Sequence, residues 1–259
     1  MPRELTPGPQ RPLSVRECVA RLDEAGFDPG DEHSLQHAAQ ALAGLAANRT
    51  FLGDLLIAQV AGNADDTASA YGPQAIMLAG PHNGYFLRAN IWPARGDPAF
   101  QASGASSFVY GLPHDHNFDF LTVGYFGPGY VSDYYEYDRS GIVGEVGEVV
   151  DLAFVERSAL HEGRVLHYRA HRDVHCQHPP DSLSVSLNIC AAHPAQGWFD
   201  QYRFDIEGRR IVGVLNPSAN EVMLRLGMAI GSEDARALAR DVAGDHPSAA
   251  MRRVAAQLS

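Results

Sequence analysis

The sequence predicts a mainly β fold, one barrel or two-layered sandwich with helical extensions at both ends. Three observations predict it. Between residues 74 and 206, short segments rich in β-branched and aromatic residues follow one another, broken by Gly, Pro, Asn and Asp roughly every 8–12 residues. Before and after that stretch the texture is helical, with Ala and Leu at helical spacing and Ser at the expected starts. The chain has 259 residues, 45% of them hydrophobic, which is enough for one sizeable core.

The elements follow in order. Residues 1–13 are Pro-rich and expected to be flexible. Residues 14–66 form a helical extension. Ser14 is a suitable N-cap for the first helix, with Glu17 three residues on and Val15, Val19 and Leu22 on one face. Residues 34–47 and 51–60 give a second and a third helix, and a polar break follows at 62–66. The barrel occupies 74–206. Its expected strands are 75–79, 85–92, 107–110, 117–125, 130–137, 146–154, 164–170, 183–190 and 201–206, with a tight turn at Asn83-Gly84 between the first two. Residues 216–259 return to helix, with starts at Ser218, Ser232 and Ser248.

The formal net charge is -11, and all 20 basic residues are arginines scattered along the chain. Nucleic acid and anionic membrane both need a basic face, so neither is an expected partner. Cys18, Cys176 and Cys190 are an odd number with no paired spacing, which points to a reducing compartment rather than a disulfide framework. The first residues lack a signal-peptide core, and no apolar run approaches the roughly 20 residues of a membrane span. A cytoplasmic location is expected. The N-terminal helices are expected to close the barrel mouth or to form a homodimer contact.

The chemistry concentrates at Pro113-His114-Asp115-His116. In an extended segment residues i and i+2 point the same way, so His114 and His116 can aim two imidazoles at one point. A third imidazole from elsewhere would complete a metal site with open positions. His167, His171, His175 and His178 are the candidates. Phe118 and Phe120 share parity with the histidine pair and are expected to line its pocket, whereas Asp119 has the opposite parity. No phosphate-binding loop, nucleophile elbow or zinc-finger spacing occurs.

The His-x-His pair, followed about 60 residues later by His175, a polar stretch through Pro179-Pro180-Asp181, and a strand from Ser182 to Asn188, resembles the cupin superfamily. It is most similar to the cysteine-dioxygenase-like members, over residues 74–206. The resemblance implies a small double-sheet jelly-roll barrel. It also implies that His114, His116 and His175 bind iron(II), and that dioxygen is co-substrate to a small anionic metabolite such as an amino, thiol or keto acid. It places Ser186 near the metal and gives Arg88 a part in holding a substrate carboxylate, with Arg169 a weaker second choice. The chain departs from the family in two places. Phe120 or Leu121 stands where many cupins carry a glutamate ligand, which favours a site of three histidines alone. Asn188 and Cys190 replace the late-strand His and Tyr of the thiol dioxygenases, so the substrate stays open. Within the cluster Tyr125, Tyr130, Tyr134, Tyr135 and Tyr137, one hydroxyl is expected to face the metal, with Tyr125 the chosen candidate. Glu136 is a candidate base or fourth ligand.

Overall fold

The computed structural model describes residues 2–61, 74–216 and 219–258. In chain order the elements are β1 (Arg3–Leu5), α1 (Val15–Ala25), α2 (Glu32–Ala47), α3 (Phe51–Val60), β2 (Ala75–His82), β3 (Tyr85–Trp92), α4 (Pro98–Ser103), β4 (Phe120–Phe126), β5 (Val131–Glu136), β6 (Ala153–Ala159), β7 (Val165–Tyr168) and β8 (Asp173–His178). There follow β9 (Ser184–Ala191), β10 (Tyr202–Asp205), β11 (Arg210–Val214), α5 (Ala219–Ile230), α6 (Glu233–Asp245) and α7 (Ala249–Leu258). A six-stranded sheet runs β1-β7-β4-β9-β3-β2, a three-stranded sheet runs β6-β5-β8, and β10-β11 form a hairpin. Every strand pair is antiparallel. The result is the two-layered barrel that the turn-punctuated strand pattern predicts, in the double-sheet jelly-roll form that the resemblance implies.

Alternation along the strands builds two cores from one sheet. On β9, Val185, Leu187 and Ile189 join Leu87 and Ala89 of β3 and Leu121 and Val123 of β4 against Cys18, Leu22, Leu35 and Leu42 of α1 and α2. The opposite face carries Trp92, Phe120, Tyr168 and Cys190, which pack with Tyr130 and Tyr134 inside the barrel. A third cluster joins Tyr137, Val150 and Val174 to Tyr202, Phe204 and Ile211 of the β10-β11 hairpin. The C-terminal helices carry a separate cluster of Leu224, Ala239 and Ala255.

Local chemistry explains the element ends. Ser14 and Glu17 form a reciprocal capping box at α1, and Asp31 caps α2 through Ser34 N. Asn83 and Gly84, with φ of 46° and 81°, make the β2-β3 turn. The polar break at 62–66 and the helix start at Ser218 lie outside the described residues.

Several expectations are corrected. Residues 2–13 are not a loose tail: Arg3–Leu5 pairs with β7, Leu5 and Leu13 are buried, and Leu13 N donates to Gly44 O at 2.9 Å. Segment 107–110 is not a strand, and a 3-10 turn spans Ala105–Phe108. The strand expected at 146–154 runs instead over Ala153–Ala159, because Val150 and Leu152 turn inward to the third cluster. The stretch Asp173–His178, which lies outside the expected strands, is a strand, β8, paired along its length with β5. The strand β11 lies beyond the expected end of the barrel at residue 206.

No single described helix is long and apolar enough to cross a membrane. Glu32–Ala47 and the following helix pass only as a pair bent by 68°, and α2 is largely buried in the core.

Candidate metal centre

His114 and His116 lie on a short extended segment rather than in a regular strand. Backbone bonds tie it down on two sides. His114 N donates to His175 O at 3.0 Å and His175 N to His114 O at 2.9 Å. On the other side Phe204 N donates to Pro113 O at 2.9 Å and Asp115 N to Tyr202 O at 3.2 Å. The segment is therefore held between β8 and β10, and the i, i+2 rule then sends both rings inward.

His114, His116 and His175 are all buried and form a group that could hold a metal ion. Their Nε2 atoms converge, with His116 to His175 at 3.0 Å and His175 to His114 at 3.1 Å. Two nitrogens each about 2.1 Å from one ion, at a right angle, would stand about 3.0 Å apart. The donor set and these separations fit a divalent ion.

Protonation suits the same role. Burial pushes the His114 imidazole down to about 4, and burial drives His116 and His175 well below the ordinary histidine value, with like charge between the rings adding to it. All three are neutral near pH 7. His114 Nδ1–H donates to Leu112 O at 2.7 Å, which leaves its Nε2 lone pair free for a ligand bond. Asp115, between the two histidines, faces the other way and is wholly buried. Its carboxylate accepts from Tyr137 OH and from Tyr202 N, both at 2.5 Å. Burial raises its pKa to about 6 against those bonds. Asp115 thus anchors the segment that carries both histidines.

The rings open on a cavity of about 420 Å³ between the two sheets, lined among others by Phe86, Arg88, Asn90, Trp92, Phe118, Phe120, Tyr130, Gln177 and Asn188. None of its described lining residues is acidic. Phe118 and Phe120 stand where parity put them. Arg88 points inward from β3, opposite Asn188 in register, and its Nε is buried without a hydrogen-bond partner.

Other candidates lie elsewhere. Tyr125 is on the outer face of β4, in the helix-side core, and its hydroxyl donates to Asn48 O at 3.1 Å. Phe120 faces inward, so odd-numbered Tyr125 faces outward, and strand parity could have excluded it. Glu136 sits at the far end of β5, paired with Arg169 at 2.9 Å and Arg172 at 3.1 Å, away from the cavity. Arg169 is engaged there and with Asp173 at 2.6 Å. Ser186 is on the inner face but does not line the cavity, and its hydroxyl accepts from Trp92 Nε1 at 2.9 Å. Among the alternative histidines, His167 pairs with Asp119 at 3.0 Å and His178 with Asp133 at 2.8 Å. His171, at φ 58°, faces Phe199. Asn90 and Gln177 were missed, although each is two residues along its strand from a named candidate, Arg88 or His175.

No family model and no curated protein matches the chain. Among solved structures it is similar to the DMSP lyase DddQ from Ruegeria pomeroyi DSS-3, at 13% identity and a TM-score of 0.29, over 75% of this chain and 80% of that one. It is also similar to the Drosophila melanogaster CENP-C cupin domain, at 13% identity and a TM-score of 0.25, over 54% and 96%. A third is the capsular polysaccharide assembling protein CapF from Staphylococcus aureus, at 8% identity and a TM-score of 0.27, over 76% and 43%. Likeness of this degree carries nothing about chemistry, and the site stands on its own geometry.

Proposed function

We propose that the chain is a metal-dependent enzyme acting on a small anionic metabolite, with iron(II) as the metal and dioxygen as co-substrate. The observation that carries the reading is the convergence of three buried, neutral imidazoles at a cavity that holds Arg88 and, among its described lining, no carboxylate. A divalent ion bound there would keep its full charge and supply Lewis-acid and redox chemistry to an anionic substrate and dioxygen. Arg88 is placed to take a carboxylate, while Phe86, Phe118 and Phe120 keep water from the reacting end. The choice of iron and dioxygen rests on the resemblance to three-histidine cupins. The net charge of -11 supports a small molecule, rather than nucleic acid or an anionic membrane, as partner.

A second reading is an oxygen-independent isomerase, lyase or hydrolase. It draws on the same ligand set, since three imidazoles suit zinc, nickel or copper as well as iron. Metal analysis of anaerobically purified protein, then oxygen uptake against amino, thiol and keto acids, separates the two. Stoichiometric iron with substrate-dependent oxygen uptake supports the first. Zinc or nickel with turnover under nitrogen replaces it with the second. Protein that takes up no metal, and behaves as its His114→Ala variant does, sinks both.

A further inference from the structure

Resting on that reading, we propose that the substrate is an amino or hydroxy acid with an apolar side chain. In this assignment Arg88 takes the carboxylate, and the amides of Asn90 and Gln177 take the N–H or O–H group.

Four buried polar atoms on cavity-lining residues lack hydrogen-bond partners: His116 Nδ1, on the back of a candidate metal-binding ring, and Arg88 Nε, Asn90 Oδ1 and Gln177 Oε1, on side chains that hold no metal. Asn90 is 8% exposed and Gln177 4%, and both line the cavity. A buried amide end left without a partner is costly, so such atoms in a cavity wall mark where a ligand bonds. Arg88 and Asn90 are two residues apart on the inner face of β3, so they meet neighbouring groups of one small molecule. Gln177 approaches from the opposite sheet, two residues beyond His175 on the same face of β8. Its amide nitrogen is 3.2 Å from His175 Nδ1 and 3.3 Å from Nε2, which sets the amide beside the metal-facing nitrogen. An amide can turn end for end, so each offers either a donor or an acceptor.

Charge and size narrow the class further. The cation on Arg88 selects the anion, and with no carboxylate among the described lining residues the amide oxygens of Asn90 and Gln177 serve as acceptors for an N–H or O–H group. A cavity of about 420 Å³ walled by Phe86, Phe118 and Phe120 exceeds what a three-carbon acid fills, leaving apolar space for a side chain.

The test measures binding to protein loaded with cobalt(II), by calorimetry and by the change in the cobalt absorption spectrum. The probes are 3-phenylpropionate, 3-phenyllactate and phenylalanine. Wild-type protein is expected to bind phenyllactate or phenylalanine at least tenfold tighter than phenylpropionate. Asn90→Leu and Gln177→Leu, each saturated with cobalt, should shrink that ratio to about threefold or less while leaving phenylpropionate binding unchanged. Because a hydroxy or amino acid can also chelate the ion directly, a ratio that survives both variants overturns the inference. So does a wild-type ratio near one, and in either case the anion-binding reading stands. If no acid binds, or if Arg88→Met leaves phenylpropionate affinity unchanged, the anion-binding reading of the site itself fails.

Discussion

At the scale of single residues the metal centre depends on three side chains and on what holds two of them. Replacing His114, His116 or His175 by alanine is expected to abolish stoichiometric metal binding, read by metal analysis after desalting. Tyr125→Phe and Glu136→Gln should leave it unchanged, since those side chains lie on the helix side of β4 and in an arginine cluster. Tyr137→Phe removes a hydrogen bond to the buried Asp115 carboxylate. The loss should cost about 1–3 kcal/mol in a denaturant titration, and about 10–100-fold in metal affinity because the anchor of the His-x-His segment loosens. The three histidines also set a pH dependence. Their folded-state values lie below the ordinary 6.5, with His114 at about 4, so the unfolded chain takes up protons first as pH falls. Their contribution to stability is full above about pH 6.5 and is lost on acidification. Asp115 works in the opposite direction, because its raised value favours the folded state in acid. Three groups outweigh one, so metal-free protein should unfold at lower urea at pH 5 than at pH 7.5. In Asp115→Asn the fall should steepen, and an unchanged or shallower fall would contradict the assignment.

Among the elements, parity within strands decides what each face does. On β9, Ser184, Ser186, Asn188 and Cys190 face the barrel while Val185, Leu187 and Ile189 face the helices. That alternation is legible in the sequence, as are the β2-β3 turn at Asn83-Gly84 and the capping box at Ser14. Ser14→Ala should cost about 1 kcal/mol, measured by thermal unfolding, because α1 loses the acceptor for Glu17 N. β8 is weakly marked in the sequence, because Asp173–His178 offers only Val174 and Cys176 as apolar positions among four charged or polar ones. It is a strand because β5 pairs with it throughout. The position of β6 shifted for a similar reason: its residues are largely exposed, so hydrophobic pattern gave no register, and pairing with β5 supplied it. Gly124 shows the limit from the other side. A Cβ there would meet His161 O at 2.1 Å, a close backbone approach that no local pattern announces. Gly124→Ala should lower the melting temperature without altering the helices' far-ultraviolet signal at low temperature.

Over the whole molecule, the six-stranded sheet is covered on one side by α1 and α2 and closed on the other by the smaller sheet, with the metal centre between the sheets. Leu42→Ala, in the helix-side core on the far face of that sheet, should cost about 2–5 kcal/mol in denaturant yet leave metal affinity within about twofold. A large loss of affinity there would mean that the helices shape the site. The sequence alone determined the mainly β class, the helical ends, the pair His114 and His116, and the inward aromatic wall. These follow from periods of 2 and 3.6 residues and from spacing, which are local quantities. Tertiary structure decided the rest. It brought His175, already singled out by the resemblance, beside His114 across a backbone bridge, and left His167, His171 and His178 apart from that pair. It turned Tyr125 outward, drew Glu136 into ion pairs, folded the N-terminal strand onto β7, and brought Asn90 and Gln177 from two sheets to one cavity. Each of those outcomes depends on which strand lies next to which, and that is fixed by long-range pairing rather than by any neighbouring residue.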